Sequence, residues 1–349
     1  MNFTALLTDF LITSLFLLGN GSQTSDKITQ LASKYRARLR PFYIIGHMAN
    51  TVGDVDSFLE DGANAVEVDI EFAVNGTVVG THHDTFPCEC FRVCGKRTEI
   101  KNFLKHIRNI TGKPSSRYAA NMTLLFLDLK TSEIANGSKL TAGYTLAQNL
   151  VEHLWNGVQE KYLMNVMLSI GYVDDKDVLK GAICYLKKNK YYHLLRYVGY
   201  DVGMNGNLSK IKHMYEDLGI TRHRWQGDGL MNCFRFLIPD SRLLEAISIR
   251  DSPIGYIEKV YYWTVDPPVY IENAIRTTID GIITNEPANA LFVVKTTFAN
   301  EVRVADRSDS PWKKFTKPRK LTTKALDDDD ALDEKFIKGL LPKCSDLRL

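Results

Sequence analysis

The chain has little of what marks most specialised protein classes. Beyond its first twenty residues it has no apolar run long enough to cross a bilayer. It has no excess of one charge: 44 Lys and Arg stand against 41 Asp and Glu, a net charge of +3, which removes the electrostatic case for nucleic-acid binding. None of its six cysteines forms a C-x-x-C pair, which argues against a structural zinc site. Neither a Ser-His-Asp arrangement nor a phosphate-cradling glycine loop is apparent. A charged fraction of 24% and an apolar fraction of 44% describe an ordinary globule.

The N-terminus does carry an apolar stretch, Ala5 to Gly19, interrupted at Asp9 and followed by Asn20-Gly21-Ser22. It reads as a signal peptide over residues 1–24, and a single membrane anchor is the competing reading. Cys88, Cys90 and Cys94 crowd into one loop, which in a secreted, extracellular chain favours disulfides. N-x-S/T sequons at Asn75, Asn109, Asn121, Asn136 and Asn207 suit the same compartment and a glycoprotein. No obligate protein partner is evident, and a monomer is expected.

From residue 42 onward, β-branched or aromatic runs alternate with stretches of helical period, the pattern of βα units around a parallel sheet. The strand candidates are Phe42 to His47, Ala65 to Phe72, Thr123 to Leu129, Asn165 to Ile170, Tyr197 to Asp201, His223 to Gln226, Val260 to Val265 and Gly281 to Thr284. Between them lie helix candidates at Val52 to Leu59, Ile100 to Ile107, Thr145 to Trp155, Asp177 to Lys188, Ser209 to Leu218, Arg242 to Ile249 and Tyr270 to Thr277. Eight such units predict a (β/α)8 TIM barrel over residues 25–312, with a doubly wound open sheet as the alternative. Residues 313–349 run from a basic stretch into the acidic block Asp327 to Asp330 and read as a flexible charged tail, in which Leu332 to Leu341 suits one short helix.

Nearly every predicted strand ends in ionisable or hydrogen-bonding groups, and in a barrel those ends share one mouth. Glu67 and Asp69 are two apart on a strand, so both side chains point to one face, and Asp128 comes from the neighbouring strand. Three buried carboxylates repel unless a divalent cation neutralises them, and oxygen-only ligation favours Mg²⁺ over Ca²⁺ or Mn²⁺. His82 follows Asp69 after a turn at Asn75-Gly76, with His83 directly behind it, and strand alternation sends only one of the two imidazoles to the site. With His47 they form a pair suited to phosphodiester cleavage, one attacking or deprotonating while the other protonates the leaving alkoxide. Lys130 is placed to stabilise phosphoryl charge, and Trp263 with Asp266 to cup a quaternary ammonium; the competing reading of the Tyr261-Tyr262-Trp263 run is core packing.

These residues resemble the sphingomyelinase D or dermonecrotic-toxin phospholipases of arachnids, relatives of the glycerophosphodiester phosphodiesterases. The likeness runs from about Tyr43 to Trp312 through GHMAN at 46–50, EVD at 67–69, PCECFRVC at 87–94, FLDLKT at 126–131, WQGDG at 225–229, YYWTVD at 261–266 and TNEP at 284–287. The resemblance implies His47 and His82 as catalytic pair, Glu67, Asp69 and Asp128 as Mg²⁺ ligands, and Lys130, Trp263, Asp266 and Asn285 along the substrate site. It also implies disulfides Cys88–Cys94 and Cys90–Cys233, leaving Cys184 and Cys344 free or paired with each other. The implied activity is that of a phospholipase D acting at a membrane surface on sphingomyelin, ceramide phosphoethanolamine and lyso-phospholipids. Choline or ethanolamine leaves as the lipid's own hydroxyl closes a cyclic phosphate; hydrolysis of soluble glycerophosphodiesters is the alternative. The chain departs from the family pattern in its doubled histidine, in the extra residue before Cys88, in Glu286 where tyrosine is usual, and in the segment Ala305 to Trp312.

Overall fold

The structure, a computed structural model, describes residues 35–83, 90, 94–237, 239–315, 327–340 and 344. The expected signal peptide and Cys88 lie outside them. Eight parallel strands form the body: β1 (Arg40–Gly46), β2 (Ala65–Phe72), β5 (Leu124–Lys130), β6 (Asn165–Ile170), β7 (Val198–Val202), β8 (Trp225–Gly229), β9 (Lys259–Trp263) and β10 (Gly281–Thr284). Short strands β3 (Val78–Thr81), β4 (Thr98–Glu99) and β11 (Val302–Val304) hang from β2 and β1. The strand order is β7-β6-β5-β2-β1-β10-β9-β8, and the two ends meet where the Tyr200 N–H donates to the His223 carbonyl at 2.8 Å beside a Tyr200–Arg224 bridge. The sheet is thus a nearly closed barrel, and the open-sheet alternative falls away.

Helices α1 (Val52–Glu60), α2 (Ile100–Thr111), α3 (Lys139–Asn149), α4 (Lys176–Lys188), α5 (Leu208–Asp217), α6 (Ser241–Asp251), α7 (Pro268–Arg276) and α8 (Pro287–Thr296) return the chain between strands or pack outside them. α3 begins well before the expected Thr145 and ends in a π-helical turn at Leu150–Trp155. α8 is absent from the sequence reading because Leu291 to Val294 form a contiguous apolar block, which hides the helical period. Pro287, Ala290, Val293 and Val294 turn inward while Phe292 stays exposed.

Alternation along each strand divides the molecule into two cores. Val66, Val68 and Ile70 of β2, with Leu125, Leu127 and Leu129 of β5, face the helices in the larger core. Ala65, Leu124, Phe126, Tyr43, Ile45, Trp225 and Tyr261 point into the barrel, where Trp312 closes the base. Room for that plug comes from Gly199: a Cβ there would lie 2.2 Å from the Trp312 ring. Of the segment beyond Trp312, the described part includes helix α9 (Asp327–Gly339), whose Phe336 is buried with Leu340 just beyond it, and Cys344, bridged to Cys184 of α4.

Candidate active site

Since Ala65 and Leu124 point inward, so do Glu67, Asp69, Asp128 and Lys130, two and four or more residues along the same strands. The β2–β5 register sets Asp69 beside Asp128 and Glu71 beside Lys130, which gathers the acids at one level near the C-terminal ends. One oxygen from each of Glu67, Asp69 and Asp128 lies within 4.8 Å of the others, the spacing of a metal-binding triad. Glu67 and Asp69 are 3% and 1% exposed, so their repulsion is not relieved by water.

The electrostatics show how poorly protein groups alone satisfy this trio. Burial, then Asp69, pushes the Glu67 carboxyl up to about 8. Burial also opposes charge on Asp69, but Lys130 overcomes it and holds that carboxyl below its ordinary value. The Lys130 ammonium sits 2.7 Å from Asp69 and 2.6 Å from Asp128, and these neighbours raise its pKa despite burial. A positive group already occupies the space between two of the three acids, and the donor set is carboxylate oxygen throughout. Both features fit a hard divalent cation.

His47 enters the same cavity from the end of β1. Its Nδ1 lies 3.0 Å from Asn285 Oδ1, while Asn285 Nδ2 donates to Asp266 Oδ2 at 2.9 Å. Because the amide nitrogen is engaged with a carboxylate, its oxygen faces the ring and accepts from Nδ1–H, which leaves the imidazole lone pair on Nε2. Asp266 also accepts from Thr284 Oγ1, the Asn285 N–H and Asn232 Nδ2.

One sequence expectation changes at this point. His83, not His82, lines the cavity, and it contributes to holding Asp69 ionised; His82 turns instead toward Glu71, 3.8 Å from its carboxylate. The reason is that β3 ends at Thr81, so strand alternation no longer decides the direction of the residues beyond it. Asp266 takes part in a hydrogen-bond network that the sequence did not reveal. Its oxygens are taken up by Asn232, Thr284 and Asn285, so it orients Asn285 and, through it, His47.

The cavity measures about 560 Å³ and is lined by Tyr261 and Trp263 of β9, with Ile134 and Met204 among its other apolar walls. Tyr261 donates to Asp201 at 2.9 Å, and Ser169 donates to the same carboxylate at 2.7 Å. Burial raises Asp201 to about 7 against these hydrogen bonds. A Cβ at Gly227 would come within 2.5 Å of the Tyr261 ring, so glycine is needed opposite it. Ser169 and Asp201 were not anticipated, although the signal was present: each sits near the C-terminal end of its strand, flanked by apolar residues.

Cys90–Cys233 bridges the connection after His83 to the segment after β8, as expected, and Cys184–Cys344 forms a further bridge. Cys94 is disulfide-bonded; Cys88, its expected partner, lies outside the described residues.

A nearly closed (β/α)8 barrel thus gathers a carboxylate trio and two histidines near the C-terminal ends of its strands, the face on which barrel enzymes carry their active sites. The Dermonecrotic toxin SPH family model matches residues 37–312, and the chain belongs to that family. It is 44% identical over 299 residues to a dermonecrotic toxin of Ixodes scapularis, covering 84% of this chain and 81% of that one. It is 38% identical over 283 residues to one of Hemiscorpius lepturus, covering 80% and 86%. With one of Loxosceles hirsuta it shares 39% over 278 residues, covering 79% and 100%. Among solved structures, a glycerophosphodiester phosphodiesterase from Parabacteroides distasonis aligns over 74% of this chain and 99% of that one, with a TM-score of 0.48 and 13% identity.

Proposed function

We propose that the protein is a secreted, Mg²⁺-dependent phospholipase D of the sphingomyelinase D type, working as a monomer on phospholipids or sphingolipids at a membrane surface. The observation that carries this reading is the convergence of His47, His83 and the Glu67–Asp69–Asp128 trio on one cavity. Mg²⁺ held by the three carboxylates would supply Lewis-acid charge for a phosphoryl oxygen.

The remaining chemistry belongs to side chains of this chain. His47, with its lone pair on Nε2, takes the proton from the lipid's own hydroxyl. The hydroxyl oxygen bonds to phosphorus, the bond from phosphorus to the head-group oxygen breaks, and His83 protonates the departing alkoxide. The products are a cyclic phosphate lipid and choline or ethanolamine. Lys130 offers its ammonium to the phosphoryl oxygens, and Asn285 keeps the His47 ring in its working tautomer. Tyr261 and Trp263 receive the head-group ammonium against their rings, with Asp201 behind Tyr261.

The test is phosphorus NMR of products from sphingomyelin, ceramide phosphoethanolamine and glycerophosphocholine incubated with purified protein. A cyclic phosphate from the sphingolipids, lost on chelation and in His47→Ala, is the expected result. Cleavage of glycerophosphocholine alone would move the assignment to soluble glycerophosphodiesters, and full activity in His47→Ala would end the mechanism.

A further inference from the structure

The GHMAN run contributes more than His47. Its last residue, Asn50, is 5% exposed and lies between β1 and α1. The Asp69 backbone N–H donates to Asn50 Oδ1 at 2.9 Å, and Asn50 Nδ2 donates to Asp69 Oδ2 at 2.6 Å. A backbone N–H only donates, so the amide orientation is fixed: its nitrogen must face the carboxylate. Asn50 is itself held on three sides. Its carbonyl accepts from Thr81 Oγ1 at 2.6 Å and from Thr98 Oγ1 at 3.0 Å, and its N–H donates to the Met48 carbonyl at 2.8 Å. Two residues earlier, the Met48 N–H donates to Glu67 Oε2 at 2.7 Å, and Met48 adopts a φ of 54°. One short segment therefore grips both acids of β2.

We propose that Asn50 is a positioning residue for the cation site: it holds Asp69 through Oδ2 so that Oδ1 faces the ion. Asp69 Oδ1 is the oxygen that now meets Lys130, which is the direction a competing cation would approach from. Without the amide, the Asp69 carboxylate is able to rotate about its last bond and lose the shared geometry with Glu67 and Asp128. Outer partners of this kind commonly change metal affinity by about ten- to a hundredfold. The inference rests on the reading of the trio as a divalent-cation site.

The experiment titrates metal-free protein with Mn²⁺ and follows the free-ion signal by electron paramagnetic resonance, with thermal unfolding in chelator alongside. Asn50→Leu keeps the volume and removes the hydrogen bonds. Asn64→Leu is the control: Asn64 is as deeply buried and bridges the Phe42 and Ala305 carbonyls and the Ile44 N–H, away from the acids. Both variants are expected to lose thermal stability, while only Asn50→Leu loses Mn²⁺ affinity, by about ten- to a hundredfold. Thr98→Val, which loosens the Asn50 carbonyl and leaves every Asp69 contact in place, should lose affinity in the same direction by less, and decides the matter if Asn50→Leu does not fold. Wild-type affinity in folded Asn50→Leu, or in Thr98→Val standing in for it, overturns the proposal, as does an equal loss in Asn64→Leu. A wild-type protein that binds no Mn²⁺ overturns the cation site and this inference together.

Discussion

Glu67 holds its proton up to about pH 8 because its carboxyl has lost water and gained Asp69 as a neighbour. That has a consequence for stability whose sign is opposite to the usual carboxylate case. Between its ordinary value of 4.5 and about 8, the folded metal-free chain keeps a proton that the unfolded chain releases. Stability in chelator is therefore fully present below about pH 4.5, as far as this group is concerned, and declines as pH rises toward 8. Glu67→Gln should flatten that decline, and added Mg²⁺ should oppose it, since the ion replaces the proton. Melting temperatures across this pH range, with chelator and with Mg²⁺, check both; a wild-type curve parallel to that of Glu67→Gln would show that Glu67 carries no such penalty. At the same scale, His83→Ala is expected to lower lipid cleavage by about 10²- to 10⁴-fold, while His82→Ala stays near wild type. Choline-release rates for the two variants decide between neighbouring imidazoles, and the reverse order would return the role to His82.

Elements whose identity comes from periodicity were legible in the sequence, and those whose position comes from closure were not. β2, β6 and β10 coincide with their predicted runs because β-branched and apolar residues recur along them at strand spacing. Glu67, Asp69, Asp128 and Lys130 were legible for the same reason, since a two-residue step on a strand fixes the face. His83 was not, because it lies past the end of β3, and the hydrogen bonds that Asp266 accepts were not, because nothing local reveals that Asn232 and Asn285 converge on it from elsewhere in the chain. α1 shows how local chemistry fixes an element beside the site. Thr51 caps it, accepting from the Asp54 N–H, while Asp54 reaches back to the Thr51 N–H. Thr51→Ala should cost about 1 kcal/mol in chemical denaturation. Because Asn50 precedes this cap directly, a small fall in Mn²⁺ affinity should accompany that loss, and a stability change without it would separate the helix start from the cation site.

On the scale of the whole molecule, the two poles of the barrel are tied by different covalent links. Cys90–Cys233 joins the connection after His83 to the segment after β8, at the mouth. At the base, Trp312 stacks on His223, Phe336 packs against the same ring, Lys187 donates to the Leu340 carbonyl, and Cys184–Cys344 closes the arrangement. The bridges span 143 and 160 residues, and chain entropy depends only on the logarithm of that length. Each should therefore stabilise the fold to a similar extent, by about 2–4 kcal/mol. Their effects on catalysis should differ, since of the two only Cys90–Cys233 ties together segments that also carry cavity-lining residues, His83 and Met231. Cys184→Ser with Cys344→Ser is expected to lower the denaturation midpoint and leave lipid cleavage by the folded protein unchanged. Cys90→Ser with Cys233→Ser should lower both, because it removes the covalent tie nearest in sequence to His83 among the described residues. Denaturant titration and cleavage rates on the two double variants provide the check. Equal losses of activity at equal stability would mean that the base of the barrel is coupled to its mouth, and that the poles do not act independently.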